Sequence, residues 1–219
     1  MVKLVKLFIV VFAITISTES FAQIFRVKAG VNFANMVVKD DDDNYSEDFK
    51  MKPGFHFGAS AEIPIGELLA FEPGLLYSLK GFKFKEEDSG DEIVLTWNLS
   101  YIEIPLNLKA TFDVGTVRIY TLLGPYIGIG LTGKSKVKFT YMGNSETEKE
   151  DINWGSDEDE DDLKRFDFGL SLGAGVELDA FQIGLSYGMG LANISPYTGN
   201  GMKINNRVLA ITGSYRIGE

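Results

Sequence analysis

Strict alternation of apolar and polar residues, with glycine concentrated on the polar side, is the feature that most limits how this chain can fold. From Phe25 to Phe33 every odd position is apolar, while the even positions hold charged residues, glycine and asparagine. A two-residue period places the two sets of side chains on opposite faces of a β-strand. The pattern therefore predicts strands with one apolar and one polar face.

The same alternation recurs in eight segments of the chain. They cover residues 25–33, 54–63, 69–80, 93–108, 117–130, 166–178, 181–191 and 209–217. In the fourth segment the apolar positions change phase near Tyr101, which predicts a β-bulge at that point. Short connections such as 179–180 alternate with long polar ones such as 132–164. Short turns at one rim and long loops at the other are typical of a transmembrane β-barrel.

Glycine placement distinguishes such a barrel from a water-soluble sandwich or lipocalin-like fold. Thirteen glycines lie on the polar face of the first seven segments, opposite a bulky apolar face. A soluble barrel needs its bulk inside, whereas lipid accommodates bulk outside. We therefore predict an all-β fold: an eight-stranded antiparallel up-and-down transmembrane β-barrel with short periplasmic turns and long acidic extracellular loops. Aromatic residues expected to face outward near strand ends are Phe25, Phe33, Phe55, Trp97, Tyr101, Phe166, Phe181 and Tyr215.

The first 22 residues have the pattern of a cleavable secretory signal. Two lysines precede the apolar run Leu7 to Ile16, and the small residues Ser20 and Ala22 follow it. This apolar run has about half of the ~20 residues that a spanning helix needs. We expect cleavage after Ala22, export to the outer membrane, and a barrel domain formed by residues 23–219.

Composition excludes several kinds of function. The 219 residues carry a formal net charge of −10 and no Cys. The negative charge argues against a nucleic-acid partner, and the lack of Cys excludes thiol catalysis. The single His56 lies about 13 Å along its strand face from Ser60, so we expect a hydrogen-bonding role inside the barrel. We expect no enzymatic activity and no cofactor.

Charged residues on the polar face are predicted to gather in the periplasmic half of the barrel. These four bases and four acids are Arg26, Lys28, Glu62, Glu72, Glu103, Arg118, Glu177 and Arg216. An unpaired ion in so confined a space is costly, so their balance predicts a salt-bridged structural cluster that plugs the lumen. A gated proton or ion path through the same residues is the alternative.

The long connections are strongly acidic. Of the 31 acidic residues, six lie in 40–48, five in 86–92 and ten in 146–162. Divalent cations bind carboxylates, but the run that begins at Asp157 lacks the glycine and the final acidic ligand of an EF-hand loop. We therefore expect a solvated acidic surface, with divalent-cation binding as the alternative.

One segment matches the sequence pattern of a nucleotide site but is not followed by the helix that such a site needs. Residues Gly128 to Ser135 fit the phosphate-binding P-loop pattern. That motif needs a helix immediately after it, whereas residues 136–141 alternate as a strand does. We expect no nucleotide site here.

Five segments carry a resemblance that spans most of the chain after the signal. They read FRVKAGVNFANM at 25–36, YIEIPLNLK at 101–109, LGPY at 123–126, FDFG with GAGVE in 166–177, and YGMGLANI at 187–194. In this order they resemble the PorT-like family of outer-membrane β-barrel proteins from Bacteroidetes. The resemblance implies a small OmpX-like barrel of the loosely named porin family, one namesake of which takes part in type IX secretion.

The function we expect is that of a non-enzymatic integral outer-membrane protein. Its neighbours would be outer-membrane lipid and protein partners at the cell surface or in a secretion complex, with acidic loops serving adhesion, partner binding or envelope integrity. The alternatives are an accessory role in type IX protein secretion and a small-solute channel.

Overall fold

The computed structural model describes residues 23–88, 91–141 and 144–218, so the predicted signal at 1–22 lies outside the described residues. The described residues form eleven β-strands. They are β1 (Ile24–Lys39), β2 (Phe49–Lys50), β3 (Lys52–Pro64), β4 (Leu69–Lys80), β5 (Lys83–Asp88), β6 (Asp91–Val114), β7 (Val117–Tyr141), β8 (Asn144–Asp151), β9 (Phe166–Leu178), β10 (Phe181–Gly190) and β11 (Lys203–Ile217). Two short 3₁₀ turns, Tyr45–Asp48 and Gly199–Gly201, lie in the connections. Over the same described ranges, no helix is long and apolar enough to cross a membrane.

All of these strands pair in one antiparallel sheet, which confirms the predicted all-β class. Neighbouring strands follow the order β6, β4, β3, β1, β11, β10, β9, β7, and β7 pairs again with β6. The pairing therefore closes a ring through eight strands, each beside the ring strand next to it in sequence. The strands β2, β5 and β8, which the sequence analysis did not predict, extend the sheet beyond the ring.

The two ends of the ring differ in their connections. Residues 65–68, 115–116 and 179–180 make the tight turns at one end, which we call the turn end. Gly115 and Asp179 adopt left-handed backbone angles there, with φ of 65° and 54°, as such turns require. The long connections all lie at the opposite end, which we call the loop end.

The inner and outer faces of the ring carry opposite chemistry. On β9 the apolar residues from Phe166 to Leu172 are 40% to 59% exposed, whereas Asp167 and Glu177 are at most 1% exposed. Soluble proteins bury apolar side chains and leave ions in water, so this distribution is the inverse of theirs. The apolar face of the ring points outward.

Glycines on the inner face leave room for large polar side chains. A Cβ atom added at Gly184 would lie 2.2 Å from the Tyr120 hydroxyl, and one added at Gly30 would lie 2.5 Å from the His56 ring. Neither distance is compatible with a side chain at the glycine position. The absence of a Cβ therefore lets these rings cross a narrow interior.

The fourth predicted segment needs a correction. Odd residues of β6 stay on the inner face on both sides of Tyr101, so that Leu99 and Tyr101 are both fully buried. The extra residue of the bulge is Leu131 on β7, which lies between the partners of Tyr101 and Ser100. The outward positions predicted for Trp97 and Tyr101 are therefore wrong. Apolar residues of β6 change face because the interior itself becomes apolar at the loop end.

Two of the predicted long loops consist mainly of strands. β7 continues to Tyr141 and returns as β8, while β5 pairs with the first part of β6. Pairing satisfies the backbone hydrogen bonds of these polar segments without a core on both sides. The P-loop-like residues Gly128 to Ser135 lie within β7, so a strand stands where a phosphate-binding loop needs a helix.

Candidate functional site

The lower interior of the ring, near the turn end, holds a network of buried ions. Arg26 donates from Nε to Glu62 at 3.1 Å and from Nη2 to Glu177 at 3.0 Å. Lys109 Nζ lies 2.8 Å from Glu62 and 3.6 Å from Glu177. Two further ion pairs join Lys28 to Glu72 and Arg118 to Glu177. We call these residues the turn-end network: Arg26, Lys28, Glu62, Glu72, Lys109, Arg118 and Glu177.

Multiple partners compensate the burial of these ions. Glu177 is 1% exposed and accepts hydrogen bonds from Arg26, Arg118 and Gln182. Removing an ion from water costs several kcal/mol unless its remaining lone pairs or protons find partners. Equal numbers of acids and bases do not by themselves form ion pairs. The strand register pairs them, because it brings each acid within reach of cations from other strands.

A second group of ions lies closer to the loop end. Lys80 Nζ is 2.6 Å from Glu103 and 3.2 Å from Asp167. Asn206 also donates to Asp167, at 2.9 Å. The ring of Tyr126 faces the Lys80 ammonium at 4.5 Å from its centroid, a favourable cation–π distance. Lys80, Glu103 and Asp167 form what we call the loop-end network.

The eight residues predicted to form one cluster are divided by the structure. Six belong to the turn-end network: Arg26, Lys28, Glu62, Glu72, Arg118 and Glu177. Glu103 instead contacts Lys80 in the loop-end network. Arg216 lies opposite Arg26 on the neighbouring strand and makes no salt bridge within the described part of the chain.

Within the two networks, three ions were not predicted from the sequence: Lys80, Lys109 and Asp167. All three occupy inner positions in the alternating pattern of their strands, and each is at most 1% exposed. Alternation was thus the signal that marks them, but it does not tell which ions of different strands share a height. That information lies in the strand register.

Between the two networks the interior is polar but uncharged. His56 donates from Nδ1 to Asn32 at 2.7 Å, and Thr212 donates to His56 Nε2 at 3.0 Å. We assign this tautomer because the Asn32 amide nitrogen already donates to Ser78 and to backbone carbonyls. Neither ring nitrogen of His56 bonds to a carboxylate, so the geometry lacks the oriented base of a hydrolase.

Two small cavities occupy this polar interior. One, of about 80 Å³, is lined by His56, Lys80 and Glu103, and the other, of about 90 Å³, by Lys28, Glu72 and Glu103 among others. Each has room for a few water molecules and polar groups to bind them.

An apolar cluster covers the interior at the loop end. Its buried members, which we call the apolar cap, are Met36, Phe82, Leu99, Tyr101, Ile152, Leu163, Ala192 and Ile194. Trp154 packs edge-on against Tyr101, with centroids 5.6 Å apart, and occupies the space that a side chain at Gly130 would need. Five of its eight residues come from connections rather than ring strands, so segments that look polar in sequence cover the interior.

The acidic connections are locally ordered by their own carboxylates. Asp161 accepts from the backbone amide of Asp157, and Asp162 accepts from that of Asn153. Amides of Asp43 and Asp42 and the hydroxyl of Tyr45 donate to Asp40, and these bonds lower the pKa of the Asp40 carboxyl. In the described segments no group of three or more His, Asp or Glu residues is arranged to hold a metal ion.

An antiparallel ring of strands that is apolar outside and ionic inside has the architecture of outer-membrane β-barrel proteins. Comparison with protein families agrees. Residues 21–195 match the family described as outer membrane protein beta-barrel domain. The chain belongs to this family, and its location is the outer membrane.

Several solved structures are similar to this chain. Neisserial surface protein A is 16% identical, with a TM-score of 0.43, over 88% of this chain and 97% of its own. Ail of Yersinia pestis, solved with the heparin analogue sucrose octasulfate, is 19% identical, with a TM-score of 0.34, over 88% and 99%. OprG of Pseudomonas aeruginosa is 11% identical, with a TM-score of 0.44, over 90% and 97%. No curated protein sequence matches this chain significantly.

Proposed function

We propose that this protein is a non-enzymatic outer-membrane protein whose eight ring strands span the membrane as an up-and-down barrel with a closed lumen. The observation that carries the proposal is the inverted distribution of side chains. Large apolar residues such as Leu123 and Leu172 are 57% and 59% exposed, while Arg26 and Lys109 are fully buried. Acyl chains are the solvent that suits such an exterior.

Two independent barriers support the closed lumen. The turn-end and loop-end networks fill the lower and middle interior with paired ions, and the apolar cap covers the loop end. Eight strands enclose little more than their own side chains, whereas aqueous pores need about sixteen or more. With the turn end in the periplasm, the acidic connections face the outside, where they are available for partner binding, adhesion or envelope integrity.

Membrane extraction and gel mobility test this proposal. The full chain should stay in the membrane pellet after carbonate extraction, and its gel mobility should change on boiling because a closed barrel resists detergent unfolding. Full extraction by carbonate together with mobility that boiling leaves unchanged would contradict a membrane-spanning barrel.

A small-solute channel is a second candidate, favoured by the two polar cavities, which share lining residues such as Glu103 and Thr212. Conductance in planar bilayers separates the two candidates. A closed lumen predicts no steady openings on the nanosiemens scale, with a sixteen-stranded general porin as the positive control. Steady openings of that size by this protein would favour the channel.

The PorT-like motifs support a third candidate, an accessory role in type IX protein secretion. Deletion of the gene tests it, with the secreted proteins of mutant and parent compared. Loss of secreted cargo, restored by the intact gene, would favour the secretion role. Unchanged secretion would favour the first proposal.

A further inference from the structure

The sheet that rises beyond the ring at the loop end separates its charges by face. It consists of β5, the first part of β6, the last part of β7, and β8, with β2 at one edge. Strand register places Lys83 opposite Thr96, Thr96 opposite Lys136, and Lys136 opposite Lys149. Directly paired residues of a sheet share a face, so these lysines lie on one side.

The neighbouring rows of directly paired residues also place lysines on this side of the sheet. Lys85 and Lys138 flank Val94, and Lys134 lies opposite Asn98. We call this set the lysine face: Lys50, Lys83, Lys85, Lys134, Lys136, Lys138 and Lys149. It contains three acids, Glu87, Glu92 and Asp151, so the face is net positive on a chain whose formal charge is −10.

The opposite face of the same strands holds acids and apolar residues. On β8, Glu146, Glu148 and Glu150 alternate with the positions of the lysine face and lie opposite apolar or small residues of β7. On β6 the residues of this opposite face include Trp97 and Leu99, which pack into the apolar cap. The lysine face therefore points away from the ring interior, toward the surroundings of the protein.

Several of these lysines are free to bind an external anion. Lys85 contacts Glu87 and Glu92, and Lys134 lies 3.4 Å from Asp151. Within the described part of the chain, Lys136, Lys138 and Lys149 make no salt bridge. A groove at the base of the face is lined by Lys134, Lys136 and Lys149 together with hydroxyl and amide side chains.

The height of the face indicates what it meets. Outward apolar residues of β6 run from Ile102 to Phe112, which spans about 26 Å at the usual strand rise and a tilt of about 40°. This matches the apolar band of about 25 Å that membrane barrels present. Lys134 then lies about 10 Å above the band, and Lys138 about 20 Å above it.

We propose that the lysine face binds the phosphate groups of the glycolipid in the outer leaflet, an inference that rests on the membrane-spanning barrel proposed above. Charge complementarity favours an anionic partner, and the height favours a large phosphorylated saccharide headgroup over a compact phospholipid headgroup. Lysines attract anionic lipid with effects that accumulate from residue to residue. The acids of the same strands face away, so the acidic chain does not repel the lipid at this surface.

A matched pair of double variants tests the inference. Lys136→Gln with Lys149→Gln removes one directly paired lysine couple from the lysine face. Lys39→Gln with Lys203→Gln removes another directly paired, exposed couple at the loop end, of which Lys39 immediately precedes Asp40 and Asp41 on the chain. Both variants change the net charge equally.

Binding of fluorescent rough lipopolysaccharide to the full chain in nonionic micelles is measured by anisotropy. The Lys136 and Lys149 variant should bind about 30-fold more weakly, and the control variant should stay within about threefold of the parent. Removing the phosphates from the glycolipid, or adding 1 M sodium chloride, should abolish binding. Equal losses in both variants, no loss in either, or displacement by an equal concentration of inorganic phosphate would overturn the inference.

Gel mobility keeps this result separate from the proposed function. All three proteins should show the mobility change on boiling that a folded barrel gives. If they do not, the barrel itself fails. If they do and their affinities are equal, only the assignment of the lysine face fails.

Discussion

Among the individual residues, Glu177 binds side chains from several strands at the turn end. Its carboxylate lies against Arg26, Lys109, Arg118 and Gln182, which come from four different strands. A single side chain thus joins strands that are not neighbours in the ring. The charge itself matters because each cation around it is buried or half-buried.

Replacing Glu177 with Gln should destabilise the protein by roughly 3–5 kcal/mol, since buried cations would lose a charged partner. The urea midpoint of unfolding in lipid vesicles measures the effect. Glu150→Gln, on the exposed strand β8, is the matched control and should leave the midpoint unchanged within error. Equal midpoints for both variants would contradict a stabilising role for the charge of Glu177.

Asp40 gives a prediction about pH. Its carboxylate accepts two amide bonds and one from Tyr45, which lower its pKa below the ordinary value of 3.8. Because the folded pKa is lowered, ionised Asp40 stabilises this turn above the unfolded pKa, and that support is lost as pH falls through the folded value. Carbon NMR of the carboxyl should show titration below 3.8, raised partway by Tyr45→Phe. Titration at or above 3.8 would contradict the three hydrogen bonds.

Among the strands, β7 decides the character of the loop end through one residue. Leu131 is the extra residue opposite β6, and beyond it the inward positions change from even to odd. Gly130 and Gly133 are therefore both inner residues, while Lys134, Lys136 and Lys138 face outward. A bulge shifts the alternation by one residue, and here it keeps three lysines out of the apolar cap.

Inserting one alanine between Gly133 and Lys134 should unfold the β7 and β8 hairpin. With regular pairing to β6, the insertion would place Lys134, Lys136 and Lys138 opposite Trp97, Leu95 and Ile93, on the side of the apolar cap, where they lack partners. Hydrogen exchange of the hairpin amides should become fast in the insertion variant. It should stay slow when Leu131 is deleted, because the deletion removes the bulge but keeps Lys134 opposite Asn98. Protected amides in the insertion variant would mean that the register of β7 does not set the face.

At the level of the whole molecule, the ring exchanges the usual positions of apolar and ionic groups. Its exterior suits acyl chains, its interior is filled by paired ions and small polar cavities, and its loop end is covered by the apolar cap.

Leu172→Arg should destabilise the protein by roughly 2–4 kcal/mol in lipid vesicles, because the residue lies on the outer face of β9, opposite Leu123 and Tyr187. Ser145→Arg, exposed on β8 beyond the ring, is the control and should have little effect. Denaturant unfolding in vesicles measures both. A negligible effect of Leu172→Arg would argue that water, not lipid, surrounds this face.

The alternating pattern predicted the ring strands well because a two-residue period directly reports two environments. It located the turns, and it marked the inner positions of Arg26, Glu62 and Glu177. It failed for Trp97 and Tyr101, since apolar residues that face a cap and apolar residues that face lipid look the same in sequence. It also missed the ion pairs of Lys80 and Lys109, which depend on the heights of residues in separate strands.

From sequence alone, the two-faced character of each strand and the asymmetry of the connections are determined, because both are local properties of side-chain order and segment length. Only the tertiary structure decides which charges meet, that Leu131 shifts the phase of β7, and that the connections supply a cap. These features depend on the register between strands. Register is a property of two paired strands, so the sequence of either strand alone does not determine it. The lysine face arises in the same way, from lysines on four strands that only pairing brings to one side.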